Sequence, residues 1–150
     1  GLYWGVPAAD IVKAISNYKP EMNRVEWRAT EHNRILLDAY NSNPTSMSLS
    51  ITHFAKWHRG EWMILGDMFE LGEYASLEHQ KIVDLIIQLD MHEKCILIGK
   101  HFASTHWNGL SFLNLEELQA FWKREGAPKG AHVLLKGSRG IALERLLPLL

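Results

Sequence analysis

Four short runs constrain the fold of this chain more than anything else in it: Ile35-Leu36-Leu37, Met63-Ile64-Leu65, Ile96-Leu97-Ile98 and Val133-Leu134-Leu135. Each is apolar without interruption, where a strand with one solvated face would alternate. Strands buried on both faces give this signature, and they need helices packed above and below them. The segments between the runs supply those helices. Ile11, Val12, Ala14, Ile15 and Tyr18 fall at helical spacing and predict a helix over 8–18, ended by Lys19-Pro20; further helices read at 44–57, 76–89, 115–124 and 140–150. Strands are predicted at 25–30, 34–40, 61–68, 94–99, 111–114 and 131–137. This alternation implies an α/β fold, a Rossmann-like, doubly wound, mostly parallel sheet with helices on both faces.

Bulk properties narrow the function. The 150 residues suit one domain with a substantial core. With 16 basic against 17 acidic side chains, no strong field draws in nucleic acid or an anionic membrane, so any basic site is local. No apolar run approaches the roughly 20 residues of a membrane span. The single Cys95 cannot form an internal disulfide and sits in the apolar run Cys95–Ile98, which predicts a buried thiol in a reducing compartment. None of the eight histidines falls at a zinc-binding spacing, and no metal site is predicted. The chain opens on Gly1 rather than Met and is expected to be a piece of a longer protein.

In doubly wound sheets, ligands sit beyond the carboxyl ends of the strands. That rule selects DAYNSNP, LGDMFELGE, IGKH and LKGSRG. In the first, turn and cap chemistry accounts for Asn43, Pro44 and Thr45 or Ser46. It does not account for Asp38, because a lone carboxylate ending a buried strand is costly unless paired or facing a ligand. Asp38, Tyr40 and Asn41 are therefore candidates. In the second, Gly66 allows another backbone to approach, and Asp67, Glu70 and Glu73 cluster at the strand tip. That cluster reads either as a solvated acidic loop or as a carboxylate site, and its spacing fits no dedicated cation cage. His79, one turn into the following helix, can face the strand tips as a hydrogen-bonding group or as an acid or base. In LKGSRG, Lys136 and Arg139 bracket Gly137-Ser138 ahead of the last predicted helix. Two cations, a hydroxyl and free helix amides make an anion site; the plainer reading is surface cations after a strand. No phosphate-binding P-loop occurs, so this chain alone is not expected to turn over ATP.

Taken together, DAYNSNPTSM, LGDMFELGE followed by His79, IGK and LKGSRG resemble, in order and spacing, the carboxy-terminal domain of the Mur ligases. Within that family the resemblance is to the branch adding D-alanyl-D-alanine to UDP-N-acetylmuramoyl-tripeptide in peptidoglycan synthesis. The opening YWGVPAADIVKAISNYKP is similar to the end of the family's central ATPase domain. The resemblance implies that residues 1–20 are that domain's tail and linker, and that 21–150 form the carboxy-terminal domain. It implies a cytoplasmic, ATP-dependent amide-forming ligase whose missing amino-terminal and central domains hold the nucleotide precursor, ATP and Mg²⁺. Carried over by position, Asp38 resembles the strand-end acid that meets the nucleotide, and Arg24 the arginine near the linker that reaches ATP. Tyr40, Asn41 and Asn43 line the family's interdomain cleft. Asn43, Ser46, Asp67, Glu70, Lys136, Gly137, Ser138 and Arg139 fall on the substrate side, with Lys136, Ser138 and Arg139 toward the dipeptide's terminal carboxylate or nearby anionic groups. His79 orients a loop or supports the chemistry. One departure is Leu37, where many relatives have a second acid. Ligases adding the third peptide residue carry an Asp-Asn-Pro-Arg motif where this chain reads IGKHFAST. Three alternatives remain: a stand-alone Rossmann-type nucleotide- or carboxylate-binding module, a purely structural interaction domain, and a Mur ligase adding a different amino acid.

Overall fold

The computed structural model describes residues 1–17, 25–58 and 61–150. Six strands, β1 (Glu26–Ala29), β2 (Arg34–Asp38), β3 (Trp62–Gly66), β4 (Cys95–Ile98), β5 (Leu110–Phe112) and β6 (His132–Lys136), form one sheet in the order β1-β2-β6-β3-β4-β5. Only the β1–β2 pair is antiparallel; the rest of the sheet is parallel. The helices are α1 (Ala8–Asn17), α2 (Pro44–Trp57), α3 (Ala75–Gln88), α4 (Lys100–Ala103) and α5 (Leu115–Glu125). The expected architecture is present. β6, the last strand in sequence, lies between β2 and β3 in space.

The uninterrupted apolar runs are explained by two cores, one on each face. Ile35, Leu37, Ile64, Ile96, Ile98, Val133 and Leu135 pack with Leu115, Leu118 and Trp122 of α5 and with Leu143 and Leu146. The alternate residues Met63, Leu65, Cys95, Leu97 and Leu134 pack with Met47, Ile51 and Phe54 of α2 and Ile82, Val83 and Ile86 of α3. Side chains along a strand point alternately to opposite faces, so a run apolar at every position serves both layers. Each fully buried Leu or Ile contributes about 1.5–3 kcal/mol relative to exposure. Cys95 lies inside this core as a free thiol, and burial pushes its pKa up. α1 buries none of its residues, and Val12 and Ile15 stand exposed on it.

The predicted closing α-helix over 140–150 is corrected. The segment forms two 3-10 turns instead, Arg139–Ile141 and Leu143–Leu149, separated by Ala142 in the left-handed region at φ 59°. The i, i+3 spacing of Leu143 and Leu146 satisfies a 3-10 turn as well as an α-helix, and Pro148 lacks the N–H that an α ladder would use.

Candidate functional site

Asp38 and Lys136 occupy matching positions at the carboxyl ends of the neighbouring parallel strands β2 and β6. Alternation along each strand carries both side chains to the α2 face, the face of Leu36 and Leu134. There the Lys136 ammonium donates to the Asp38 carboxylate in a buried ion pair, with side-chain exposures of 1% and 12%. Ser50, on α2, donates to the same carboxylate oxygen at 3.3 Å. The carboxylate that turn chemistry left unexplained is thus paired. Lys136 does not present a free cation to a ligand carboxylate, which revises its expected role.

The neighbouring polar residues divide into structural and cleft-facing sets. Asn43 Oδ1 accepts from the Ser46 amide at 2.8 Å, and the Asn43 amide donates to Ser46 Oγ at 3.2 Å, a reciprocal capping box at the start of α2. Both side chains expected on the substrate side are therefore committed to the helix. Asn41 Oδ1 accepts from the Ser42 amide at 2.8 Å. Val25, Asp38, Tyr40 and Asn41 line a shallow hollow of about 330 Å³. The Arg139 guanidinium lies 5.6 Å from the centroid of the Tyr40 ring, so the end of β6 and the end of β2 meet again here. Arg24, expected to reach ATP, lies outside the described residues.

The acidic strand tip turns out to be a hydrogen-bonded frame. Asp67, 2% exposed, accepts from the amides of His101 and Phe102 at 2.9 Å each. His79 is fully buried; its Nδ1 donates to the Ala75 carbonyl at 2.6 Å and its Nε2 accepts from the Met68 amide at 3.0 Å. That pattern requires the neutral imidazole, and burial holds its pKa below the ordinary value against the opposing pull of the Ala75 carbonyl and Asp67. His79 orients the loop through Met68, because protonating Nε2 would break that bond. Ser138, 4% exposed, accepts from the Phe69 amide at 2.9 Å, and its own amide donates to the Asp67 carbonyl at 3.0 Å. Gly137 allows this docking, because a Cβ there would sit 2.9 Å from Gly66 Cα. Glu70 is exposed at the loop tip in the left-handed conformation, φ 64°.

The anion-site reading of LKGSRG is corrected with the closing helix. No α-helix starts after Gly137, Lys136 is buried against Asp38, and Ser138 holds a loop. Arg139 alone of that group points outward. Among the described residues, no cluster of three or more His, Cys, Asp or Glu is placed to hold a metal ion. No helix among them is long and apolar enough to cross a membrane.

A cavity of about 420 Å³ opens at the carboxyl ends of β3, β4 and β5, walled on its far side by the segment after β6. Phe69, Leu113, Ile141 and Ala142 supply apolar wall, while Lys100, Glu116 and Arg145 bring charge. A larger hollow of about 620 Å³, lined by Thr30, His32 and Trp122, lies at the opposite, amino-terminal edge. Ligands of parallel sheets sit at the carboxyl edge, so the smaller cavity carries the functional weight. Of its charged residues, sequence reasoning singled out Asp67 but not Lys100, Glu116 or Arg145. Lys100 lies within IGK, while Glu116 and Arg145 fall in predicted helical segments outside the selected runs.

The architecture defines a class: a mostly parallel α/β domain whose polar residues converge on the carboxyl edge of its sheet. Residues 23–139 match the model of the Mur ligase, glutamate ligase domain, and the chain belongs to that family. It is 29% identical to the UDP-N-acetylmuramoyl-tripeptide--D-alanyl-D-alanine ligase of Bacillus subtilis (strain 168), over 97% of this chain and 34% of that protein. It is 34% identical to the ligase of the same name from Treponema pallidum (strain Nichols), over 97% of this chain and 33% of the relative. A crystal structure of MurF from Acinetobacter baumannii superposes with a TM-score of 0.77 at 27% identity, covering 97% of this chain and 33% of that one. The chain spans about a third of the length of the curated relatives it matches.

Proposed function

We propose that this chain is the carboxy-terminal part of an ATP-dependent ligase that joins D-alanyl-D-alanine to UDP-N-acetylmuramoyl-tripeptide in cytoplasmic peptidoglycan synthesis. Residues 1–20 are then the end of a central ATPase domain with its linker, and 21–150 the domain that closes over it. The family match over 23–139 and the names of the relatives support this reading. The observation that carries it is the convergence of Asp38, Tyr40, Asn41 and Arg139 on one side of the sheet's carboxyl edge, an edge that also opens a cavity of about 420 Å³.

In the proposed reaction the precursor's terminal carboxylate attacks the γ-phosphorus of ATP, ADP leaves, and an acyl phosphate forms. The dipeptide amine, having lost a proton, attacks the acyl carbon and expels phosphate. This chain contributes position. Its closure excludes water from the acyl phosphate and orients the amine. Asp38, held in place by Lys136 and Ser50, is the group offered to the nucleotide, with Tyr40 and Asn41 beside it. Mg²⁺ does not fit the residues described here: Asp67 is saturated by two amides, and Glu70 and Glu73 stand exposed. Its ligands are assigned to the missing central domain, and this chain alone is expected to be inactive.

The test is phosphate release by the intact ligase with UDP-N-acetylmuramoyl-tripeptide, ATP and a panel of acceptors. The reading requires turnover with D-alanyl-D-alanine. Turnover with single amino acids instead would move the protein to another branch of the family, and turnover with none would leave a nucleotide- or carboxylate-binding module.

A further inference from the structure

We infer that the hollow of about 620 Å³ at the amino-terminal edge is a second binding site, for a small molecule with an apolar body and one anionic head. The site is separate from the carboxyl edge, and its assignment does not depend on the ligase reading. The carboxyl-edge rule concerns crevices formed by strand tips. This hollow is walled instead by three segments distant in sequence: the turn at 29–32, the second half of α5 with the loop after it, and the closing residues 147–150.

One buried side chain ties the three walls together. Asn33, 5% exposed, donates through Nδ2 to the Pro128 carbonyl at 2.8 Å and to the Leu150 carbonyl, and its Oδ1 accepts from the Ala131 amide at 3.0 Å. The Asn33 amide also donates to Thr30 Oγ1 at 3.0 Å, and the Gly130 amide to the His32 carbonyl at 3.0 Å. The walls are therefore fixed before a ligand arrives, which lowers the ordering cost of binding. The volume lies within the range of small-molecule sites, about 300–1,000 Å³.

The lining sets the ligand's chemistry. Buried Trp122 and half-buried Ala127 and Leu147 give apolar wall. Lys123 and Lys129 stand exposed beside it, and neither forms an ion pair with any described residue. Their stems can lie along apolar surface while the ammonium groups reach a ligand's head. Glu31 is the one acidic side chain in the lining. Because the whole chain carries a net charge of −1, this excess of cations is local to the hollow. An apolar body against Trp122 with a carboxylate or phosphate between the two lysines satisfies both halves of the site.

The experiment titrates the intact protein by calorimetry with octanoate, octyl phosphate and neutral octan-1-ol, with ADP in excess so that any nucleotide site is already filled. At least one of the two anions should bind with Kd below about 1 mM and about tenfold more tightly than octan-1-ol. Lys123→Ala combined with Lys129→Ala should erase that preference, and Ala127→Trp, which fills the hollow, should abolish binding. Both lysines are exposed, so the double variant keeps its fold and decides the matter even where Ala127→Trp does not fold. Neither anion bound by the wild type, or an affinity unchanged in the lysine double variant or in folded Ala127→Trp, would overturn the inference. Capture by phosphatidylglycerol vesicles without binding of either monomeric anion would overturn it too, because a membrane surface needs no hollow.

Discussion

Replacing Lys136 by Met tests whether the strand-end pair is a buried ionic contact. Met keeps the length of the apolar stem, so the change removes the ammonium without opening a cavity, and Asp38 is left with Ser50 alone. Breaking a buried pair by removing one partner costs about 3–5 kcal/mol. Asp38 retains 12% side-chain exposure and one hydroxyl donor, which places the expected loss near the lower end, about 3 kcal/mol. With a urea m-value of about 2 kcal/mol/M, the unfolding midpoint should fall by about 1.5 M. Asp38→Asn combined with Lys136→Met removes both charges and should recover most of that loss, to within about 1 kcal/mol of wild type. Urea unfolding of the chain followed by circular dichroism reads both. A single-variant midpoint within about 0.3 M of wild type, or a double variant no better than the single, would refute the argument. In the intact ligase the same single variant should raise KM for ATP more than KM for the dipeptide, because Lys136 acts through Asp38.

His79 gives a pH dependence with a defined sign. Burial lowers its folded-state pKa below the ordinary 6.5, so the unfolded chain binds the extra proton more readily. Stability should therefore be complete above about pH 6.5 and decline as pH falls below it, with Asp67 and Glu78 moderating the slope and His101 steepening it. His79→Gln should flatten that decline in melting temperature between pH 7.5 and 5, and the slope remaining includes a part from His58, whose pKa burial and the neighbouring His132 also lower. Gly99→Ala should cost about 2–4 kcal/mol in thermal unfolding, because φ is +127° and the new Cβ would fall 2.2–2.5 Å from the Asp67 carboxylate. Asn43→Ala, which removes half of the capping box, should cost about 1 kcal/mol by the same measurement without altering the acceptor preference.

The strands and their burial were legible because doubly buried strands show it in four consecutive runs, and α2 was bounded correctly at 44–57 by Pro44 and Trp57. The closing helix misled because leucines three apart satisfy both helix types, and nothing local announced a left-handed Ala142. Asp38 was recognisable as unexplained, yet its partner lies 98 positions away. Pairing them requires knowing that β6 lands beside β2, and strand order is a property of the whole packing. The same holds for Arg145 and Glu116, 29 positions apart. His79 could be placed near the strand tips from its helical position, whereas its neutral state became evident only from the Met68 amide and Ala75 carbonyl.

The position of β6 also bears on how the chain is made. During synthesis β2 and β3 emerge first, but their common neighbour is translated about 70 to 100 residues later. Until it arrives the two halves of the sheet share no strand, and each shows an unpaired edge of apolar backbone to other nascent chains. Insertion of β6 is then the step that joins them, and it brings Lys136 to Asp38 at the same moment. A polypeptide truncated before His132 would consist of two incomplete sheets and belong to the pool handled by chaperones and proteases. Completion of the carboxyl edge thus waits on the strand that this sheet receives last.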